Sequence, residues 1–247
     1  MSEQPDSRTQ MDSVIATAAS YWAGEAEVVR EYFLQPRTTD RDLQWLRAQA
    51  YKEARPFRDL SLPLQEEFLR TGTLTRHPHG PEMLVRLSQE VQHFSLLAEV
   101  IFTLSGKAVS LHDHVDLPED RKLQKLRAGY RTHGSLERAA VEFTEGGGGA
   151  MFHVLRQLDG GEFEREIARV FAIIAADEQW HGPPEVMAIA RYARDSGDWE
   201  RARVIVREIS HQRLHMRNEM FGFPLRPARV HEIETGLIQP WSMSIPL

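Results

Sequence analysis

The sequence predicts an all-α protein. Apolar residues recur every three or four positions along most of the chain, and no segment alternates convincingly between apolar and polar residues. The chain has 247 residues, for which one domain with appendages is the simpler organisation. We expect a disordered N-terminus at 1–10, a single helical domain over 11–221 and an extended C-terminal tail at 222–247. The tail is expected to pack on the helices or on a second subunit, which leaves a homodimer open.

Helix boundaries follow from the residues that start and stop helices. Pro36 closes the first helix, Thr39 and Asp40 can cap the second, Gly106 ends the third and Ser135 opens the fourth. The helices are therefore predicted near 12–34, 40–58, 82–105, 135–158, 162–181 and 198–220, with a shorter one near 62–70.

Composition excludes several kinds of protein. The formal net charge of −6 lacks the basic patch of a nucleic-acid-binding protein. The chain has no cysteine, so any bound metal must have nitrogen and oxygen ligands. No apolar run approaches the ~20 residues that span a bilayer, and the N-terminus does not resemble a signal peptide. We expect a soluble, cytoplasmic protein that binds neither nucleic acid nor membrane.

A Glu-x-x-His pattern occurs twice in segments predicted to be buried helix, at Glu90 and His93 and again at Glu178 and His181. This spacing places a carboxylate and an imidazole one turn apart on the same side of a helix, so that both can bind one metal ion. A third copy occurs at 208/211, and about one copy is expected by chance in a chain of this composition. The number of copies is therefore weak support, and their placement matters more.

The placement indicates that the acidic side chains of both motifs point inward. Glu90 and Glu178 lie on apolar helix faces, the first with Met83, Leu87, Phe94, Leu97 and Ile101, the second with Phe171, Ile174 and Ile189. A buried carboxylate must be paired, protonated or bound to a metal, because burying it alone costs several kcal/mol. For His181, which Gly-Pro-Pro follows directly, a position near a helix C-terminus is the alternative to a ligand role.

Bridging carboxylates are available at nearly matched distances before the two motifs. Glu53 precedes Glu90, and Glu142 precedes Glu178, by spacings that differ by one residue. Glu53 shares a helix face with Leu46, Ala50, Phe57 and Leu60, and Glu66 is its rival for the ligand role.

Glu142 shares its helix face with small residues. Two of them, Gly146 and Gly149, belong to a run of four glycines, 146–149. Four glycines cost a helix roughly 1 kcal/mol each relative to Ala, which stability alone does not explain. We expect a hollow that admits a substrate, lined by Gly146, Gly149, Ala150 and His153. The alternative is that the run is a break between two short helices.

The six candidate ligands are Glu53, Glu90, His93, Glu142, Glu178 and His181. This set resembles the ferritin-like di-iron carboxylate superfamily, whose four-helix bundle draws Glu from two helices and Glu-x-x-His from two others. Asp177 adds to the resemblance, because the last motif of the oxygen-activating members reads Asp-Glu-x-x-His.

The resemblance implies a ferritin-like bundle at about 40–195 with additional terminal helices. It implies two Fe ions, with Mn or mixed Mn/Fe possible, and O2 as co-substrate. Glu142 and Asp177 would be catalytic, Asp177 by accepting a hydrogen bond from a ligand imidazole. The implied activity is hydroxylation, N-oxygenation or desaturation of a small organic substrate, with electrons from a ferredoxin or a flavoprotein reductase.

Other functions fit the same residues. Iron storage and manganese catalase use similar ligands, and a non-catalytic helical binding protein would have these glutamates solvated or paired with arginine. The spacing of Glu208, His211 and His215 would also suit a metal, although a solvent-facing helix surface is the simpler interpretation.

Overall fold

The computed structural model describes residues 6–73, 80–110, 115–178 and 185–242, and within these ranges it contains helices and no strand. The all-α prediction is confirmed. The chain divides into two compact units. We call Arg37–Val115 the insert unit, and Met1–Pro36 together with Asp116–Leu247 the main unit.

Ten helices lie in the described part of the chain. They are α1 (Ser7–Leu34), α2 (Thr39–Thr71), α3 (Gly80–Ser105), α4 (Pro118–Arg131), α5 (Ser135–Phe143), α6 (Gly146–Leu155), α7 (Glu162–Glu178), α8 (Glu185–Tyr192), α9 (Ser196–Met220) and α10 (Pro227–Glu234). None of them carries an apolar stretch that could cross a bilayer.

The insert unit consists of α2 and α3, which pack against each other. The Thr38 hydroxyl caps α2 by accepting from the Arg41 N–H, and α2 ends at Gly72, whose φ of 69° is left-handed. The helix is continuous over the two segments, 40–58 and 62–70, that the sequence predicts as separate helices. Apolar side chains of both helices fill the interior, among them Trp45, Leu46, Leu97 and Ile101. This interior excludes water from the helix faces that carry Glu53 and Glu90.

The main unit is built around the long helices α1 and α9, which pack together. On α1 lie α6, α8 and α10, whereas α4 and α5 lie on α9, and α7 packs on α6. The Asp195 carboxylate caps α9 by accepting from the Asp198 N–H. The core includes Trp22, Phe143, Phe171 and Ile209.

Several predicted boundaries differ from the structure. Helix α1 begins at Ser7, inside the segment predicted to be disordered, and α10 lies inside the tail predicted to be extended. The segment 135–158 is two helices with the break at Thr144–Glu145, directly before the glycine run. Helices α4 and α8 were not predicted. Helix α4 buries Asp120 and Leu123 and contains few apolar residues, so the apolar pattern that predicts a helix has little to rest on there.

Candidate metal centre

Three of the six predicted ligands meet in the interior of the insert unit. Glu53 lies on α2, and Glu90 and His93 lie on α3, with exposed fractions of 6%, 5% and 0%. One ligand atom from each residue lies within 4.8 Å of the other two. The inward orientation predicted for Glu53 and Glu90 is confirmed by their burial. Glu66, the rival of Glu53, is exposed.

The local sequence explains why these side chains face inward. On α3 the buried positions Glu90, His93, Leu97 and Val100 follow one another at intervals of three and four residues, which defines one helix face. On α2 the same periodicity connects Leu46, Gln49 and Glu53. The inward orientation of the three polar residues thus follows from the burial of their apolar neighbours on the same helix faces.

Hydrogen bonds hold the group together. His93 Nδ1 lies 3.3 Å from Glu53 Oε2, and the Gln49 amide donates to Glu53 Oε1. Burial raises the pKa of the Glu53 carboxyl, but the hydrogen bond to His93 and its charge outweigh burial and hold that pKa below its usual value. Arg86 Nε lies 3.6 Å from Glu90 Oε1 at the outer side of the group.

The donor set fits a divalent metal ion. Two ligand atoms bound at about 2.1 Å with angles of about 90–110° lie about 3.0–3.4 Å apart, which matches the separation of 3.3 Å between His93 and Glu53. Carboxylate oxygen and imidazole nitrogen suit iron, manganese and zinc. Gln49 Oε1 is buried without a hydrogen-bond partner among the described residues, so the group has beside it an acceptor that could contact a cation or its water.

The remaining predicted ligands belong to the main unit or lie outside the described residues. His181 is outside them. Asp177 and Glu178 are half-buried at the end of α7.

Glu142 pairs with Arg131 and lies 3.8 Å from Arg127, which also pairs with Glu145. Burial and the charge of Glu145 raise the pKa of the Glu142 carboxyl, and the two arginines oppose them. The carboxylate predicted to bridge metals is thus charge-balanced by guanidinium groups.

The substrate hollow predicted beside Glu142 is wrong at Gly146, and the next glycine is filled in the same way. A Cβ atom at Gly146 would lie 2.7 Å from Trp22 Cζ2, and one at Gly147 would overlap the Glu25 carboxylate. Helix α1 therefore fills the space beside them. Ala150 is buried, and His153 is held by Arg156, Gln157 and the edge of Trp241. Gly149 alone of the four faces open space.

A matched pair of substitutions separates close packing from helix propensity in this run. We expect Gly146→Ala to lower the free energy of unfolding by about 1–3 kcal/mol, because the new methyl group overlaps the Trp22 ring. Gly149→Ala should raise it by about 0.4–1 kcal/mol, since its methyl group meets nothing and alanine favours helix. Urea unfolding of both variants measures the difference. Equal stabilities would contradict the packing role of Gly146.

The glutamate and the histidine of the third Glu-x-x-His copy contact different partners. Glu208 accepts a hydrogen bond from the Tyr130 hydroxyl. His211 and His215 instead converge on Glu234 of α10. Sequence reasoning missed Glu234 because it assigned 222–247 to an extended tail. The available signal was Pro227 at a helix start, followed by His231 and Glu234 at a spacing of three.

Comparisons with protein-family models, curated proteins and solved structures give no match. The function must therefore be inferred from the chemistry of the site.

Proposed function

We propose that the protein is a metal-dependent oxidoreductase whose metal is held by Glu53, Glu90 and His93. The observation that carries the proposal is the convergence of two buried carboxylates and a fully buried imidazole. Two adjacent carboxylates inside a protein repel each other and lose their hydration, so the group needs a bound proton or neighbouring positive charge to be stable. A divalent ion supplies that charge and uses all three side chains.

Each residue has a defined task in this proposal. Glu53 accepts from the Gln49 amide, which fixes the orientation of its carboxylate. His93 is held against Glu53 at 3.3 Å, and its complete burial keeps the imidazole out of water. The apolar interior around α2 and α3 limits solvent access. A bound redox metal would supply electrons for the reduction of O2.

The resemblance to ferritin-like di-iron proteins extends the proposal to two iron ions, or Mn or mixed Mn/Fe, in a ferritin-like bundle. The resemblance adds Glu142, Glu178 and His181 to the ligands, with Glu53 and Glu142 as the bridging carboxylates. The substrate would be a small organic molecule, and a ferredoxin or a flavoprotein reductase would supply the electrons. This extension rests on the ligand pattern of the sequence.

A non-catalytic helical protein is the second candidate, and one contact favours it. Arg86 lies 3.6 Å from Glu90, so a protonated His93 together with Arg86 would balance both carboxylates without a metal. In that case the group is a buried ion-pair cluster that stabilises the packing of α2 on α3.

Anaerobic titration of the metal-free protein with Fe(II) distinguishes the two functions. We expect Fe(II) to bind and to raise Tm, because an ion at 100 times its Kd adds about 2.7 kcal/mol to the free energy of unfolding. Iron content measured after gel filtration gives the stoichiometry. About two ions per chain in both the wild type and His215→Ala supports the di-iron extension, because that variant lacks one imidazole of the separate group around Glu234. Oxygen uptake by the loaded protein with a chemical reductant then tests the redox function. No bound iron and an unchanged Tm would favour the ion-pair cluster.

A further inference from the structure

A second cluster of potential ligands lies in the main unit, where α10 meets α9. His211 and His215 are one turn apart on α9, and their ring centroids are 4.6 Å apart. Both Nε2 atoms face the same oxygen of Glu234, Oε1, at distances of 3.0 and 2.8 Å. We propose that His211, His215 and Glu234 form a binding site for a divalent transition metal, with zinc as its preferred ion.

The distances between the ligand atoms match those around a zinc ion. Zinc binds histidine nitrogen and carboxylate oxygen at about 2.0–2.2 Å, so tetrahedral ligands lie about 3.3–3.5 Å apart. The observed separations between the imidazole nitrogens and the carboxylate are a few tenths of an ångström shorter. Small rotations of the three side chains would therefore admit the ion, which takes the place of the protons between nitrogen and oxygen.

Contacts of α10 with α1 position the backbone of Glu234. The side chain of Ile233, next to Glu234, is fully buried, and its Cγ2 lies 2.8 Å from where a Cβ would stand on Gly24. The absence of a side chain at Gly24 thus lets α10 approach α1 closely. Arg229 adds a bidentate ion pair with Glu27 of α1, at 2.6 and 2.7 Å. Glu234 is consequently held in place opposite α9.

The composition of the site indicates which metals it takes. Two imidazoles and one carboxylate favour zinc, cobalt, nickel or copper over magnesium or calcium, which need mainly oxygen ligands. The side chains are partly exposed, so an ion can enter from solvent and retain a water at its fourth position. His231 Nδ1 lies 3.7 Å from the other Glu234 oxygen and can orient the carboxylate.

Metal binding at this position would connect two helices through side chains alone. Helix α10 has eight residues and buries only Val230 and Ile233, so few apolar contacts hold it to the main unit. An ion shared by α9 and α10 would therefore reduce the local opening of α10.

Isothermal titration of the metal-free full chain with ZnCl2 tests the site. We expect the wild type to bind one Zn2+ ion more than either His215→Ala or Glu234→Gln. The matched control is His133→Ala, since His133 is exposed and contacts the Gly129 carbonyl, and it should bind as many ions as the wild type. His211→Ala gives the same test if either first variant does not fold. Equal stoichiometry and affinity in the wild type, His215→Ala and His211→Ala would overturn the proposal.

Hydrogen exchange provides a second readout that does not depend on other metal sites. Adding Zn2+ should slow amide exchange in Pro227–Glu234 at least about tenfold in the wild type and in His133→Ala, and leave it unchanged in His215→Ala. Zinc-independent exchange of this helix in the wild type would contradict a site that includes Glu234. The buried group of the insert unit does not enter this test, because it contains none of the substituted residues.

Discussion

Replacement of Glu25 by glutamine is expected to lower the free energy of unfolding by about 3–5 kcal/mol. The Glu25 carboxylate is completely buried in the main unit, and it accepts from Arg213 Nε at 3.3 Å and Arg217 Nε at 3.1 Å. Glutamine keeps the size of the side chain but removes the charge that these two guanidinium groups share. Equilibrium urea unfolding at neutral pH measures the loss.

The size of this effect follows from the burial of the arginines. Arg217 is 1% exposed, and burial lowers the pKa of its guanidinium while the Glu25 charge opposes that change. A guanidinium that cannot lose its proton at neutral pH must stay charged in the interior. Without Glu25, both arginines would be buried cations with less negative charge nearby to balance them.

Glu27→Gln is a matched control on the same helix. Glu27 pairs with Arg229 at the surface, where both side chains are partly exposed, and an exposed ion pair contributes at most about 1 kcal/mol. Combining Glu25→Gln with Arg217→Met should reduce the loss of unfolding free energy that the glutamine substitution causes, because one of the two unbalanced buried cations is removed. A Glu25→Gln variant as stable as the control would contradict the role of Glu25 in neutralising this interior.

The same carboxylate explains the glycine run that sequence reasoning interpreted as a substrate hollow. Gly147 lacks a side chain at the position that the Glu25 carboxylate occupies, and Gly146 leaves room for Trp22. The sequence shows that four glycines in a helix are costly, but it does not show which helix approaches them. Glu25 is far from its arginines in sequence, so no local pattern predicts the ion pairs.

The helix pattern was predictable wherever the signals were local. The ends of α3 and α9 follow from Gly106 and from apolar periodicity, and both agree with the structure within two residues. The prediction failed where tertiary packing decides. Helix α2 is continuous where two helices, 40–58 and 62–70, are predicted. Helix α10 forms in a segment whose prolines suggest an extended chain, because burial of Val230 and Ile233 favours helix there.

The residues of the candidate sites were likewise predictable where the signal was local, and not where it depends on contacts between helices. Glu90 and His93 were found because both ligands lie on one helix at a spacing that geometry requires, and Glu53 because it shares an apolar face. The role of Glu234 depends on a contact between two helices, which a sequence pattern on one helix does not reveal. Spacing within one helix thus predicts the ligands that share that helix better than a ligand contributed by another helix.

His93→Ala is expected to weaken Fe(II) binding at the insert unit by more than about 100-fold. Removal of an outer-shell partner costs about 10- to 100-fold in metal affinity, and His93 is a direct ligand in our proposal. The imidazole is fully buried between α2 and α3, so no water or other side chain readily replaces it. Equilibrium dialysis with Fe(II) under anaerobic conditions measures the affinity.

Stability measurements with and without metal separate this ligand role from a structural one. His93→Ala also leaves Glu53 and Glu90 facing each other without the imidazole, so the metal-free variant should unfold more easily than the metal-free wild type. An ion-pair cluster predicts only that loss, whereas a metal centre predicts in addition that the rise of Tm with Fe(II) disappears. Glu66→Gln, on the same helix but exposed, should retain the full rise. A His93→Ala protein that Fe(II) still stabilises like the wild type would remove His93 from the ligand set and, with it, the oxidoreductase proposal.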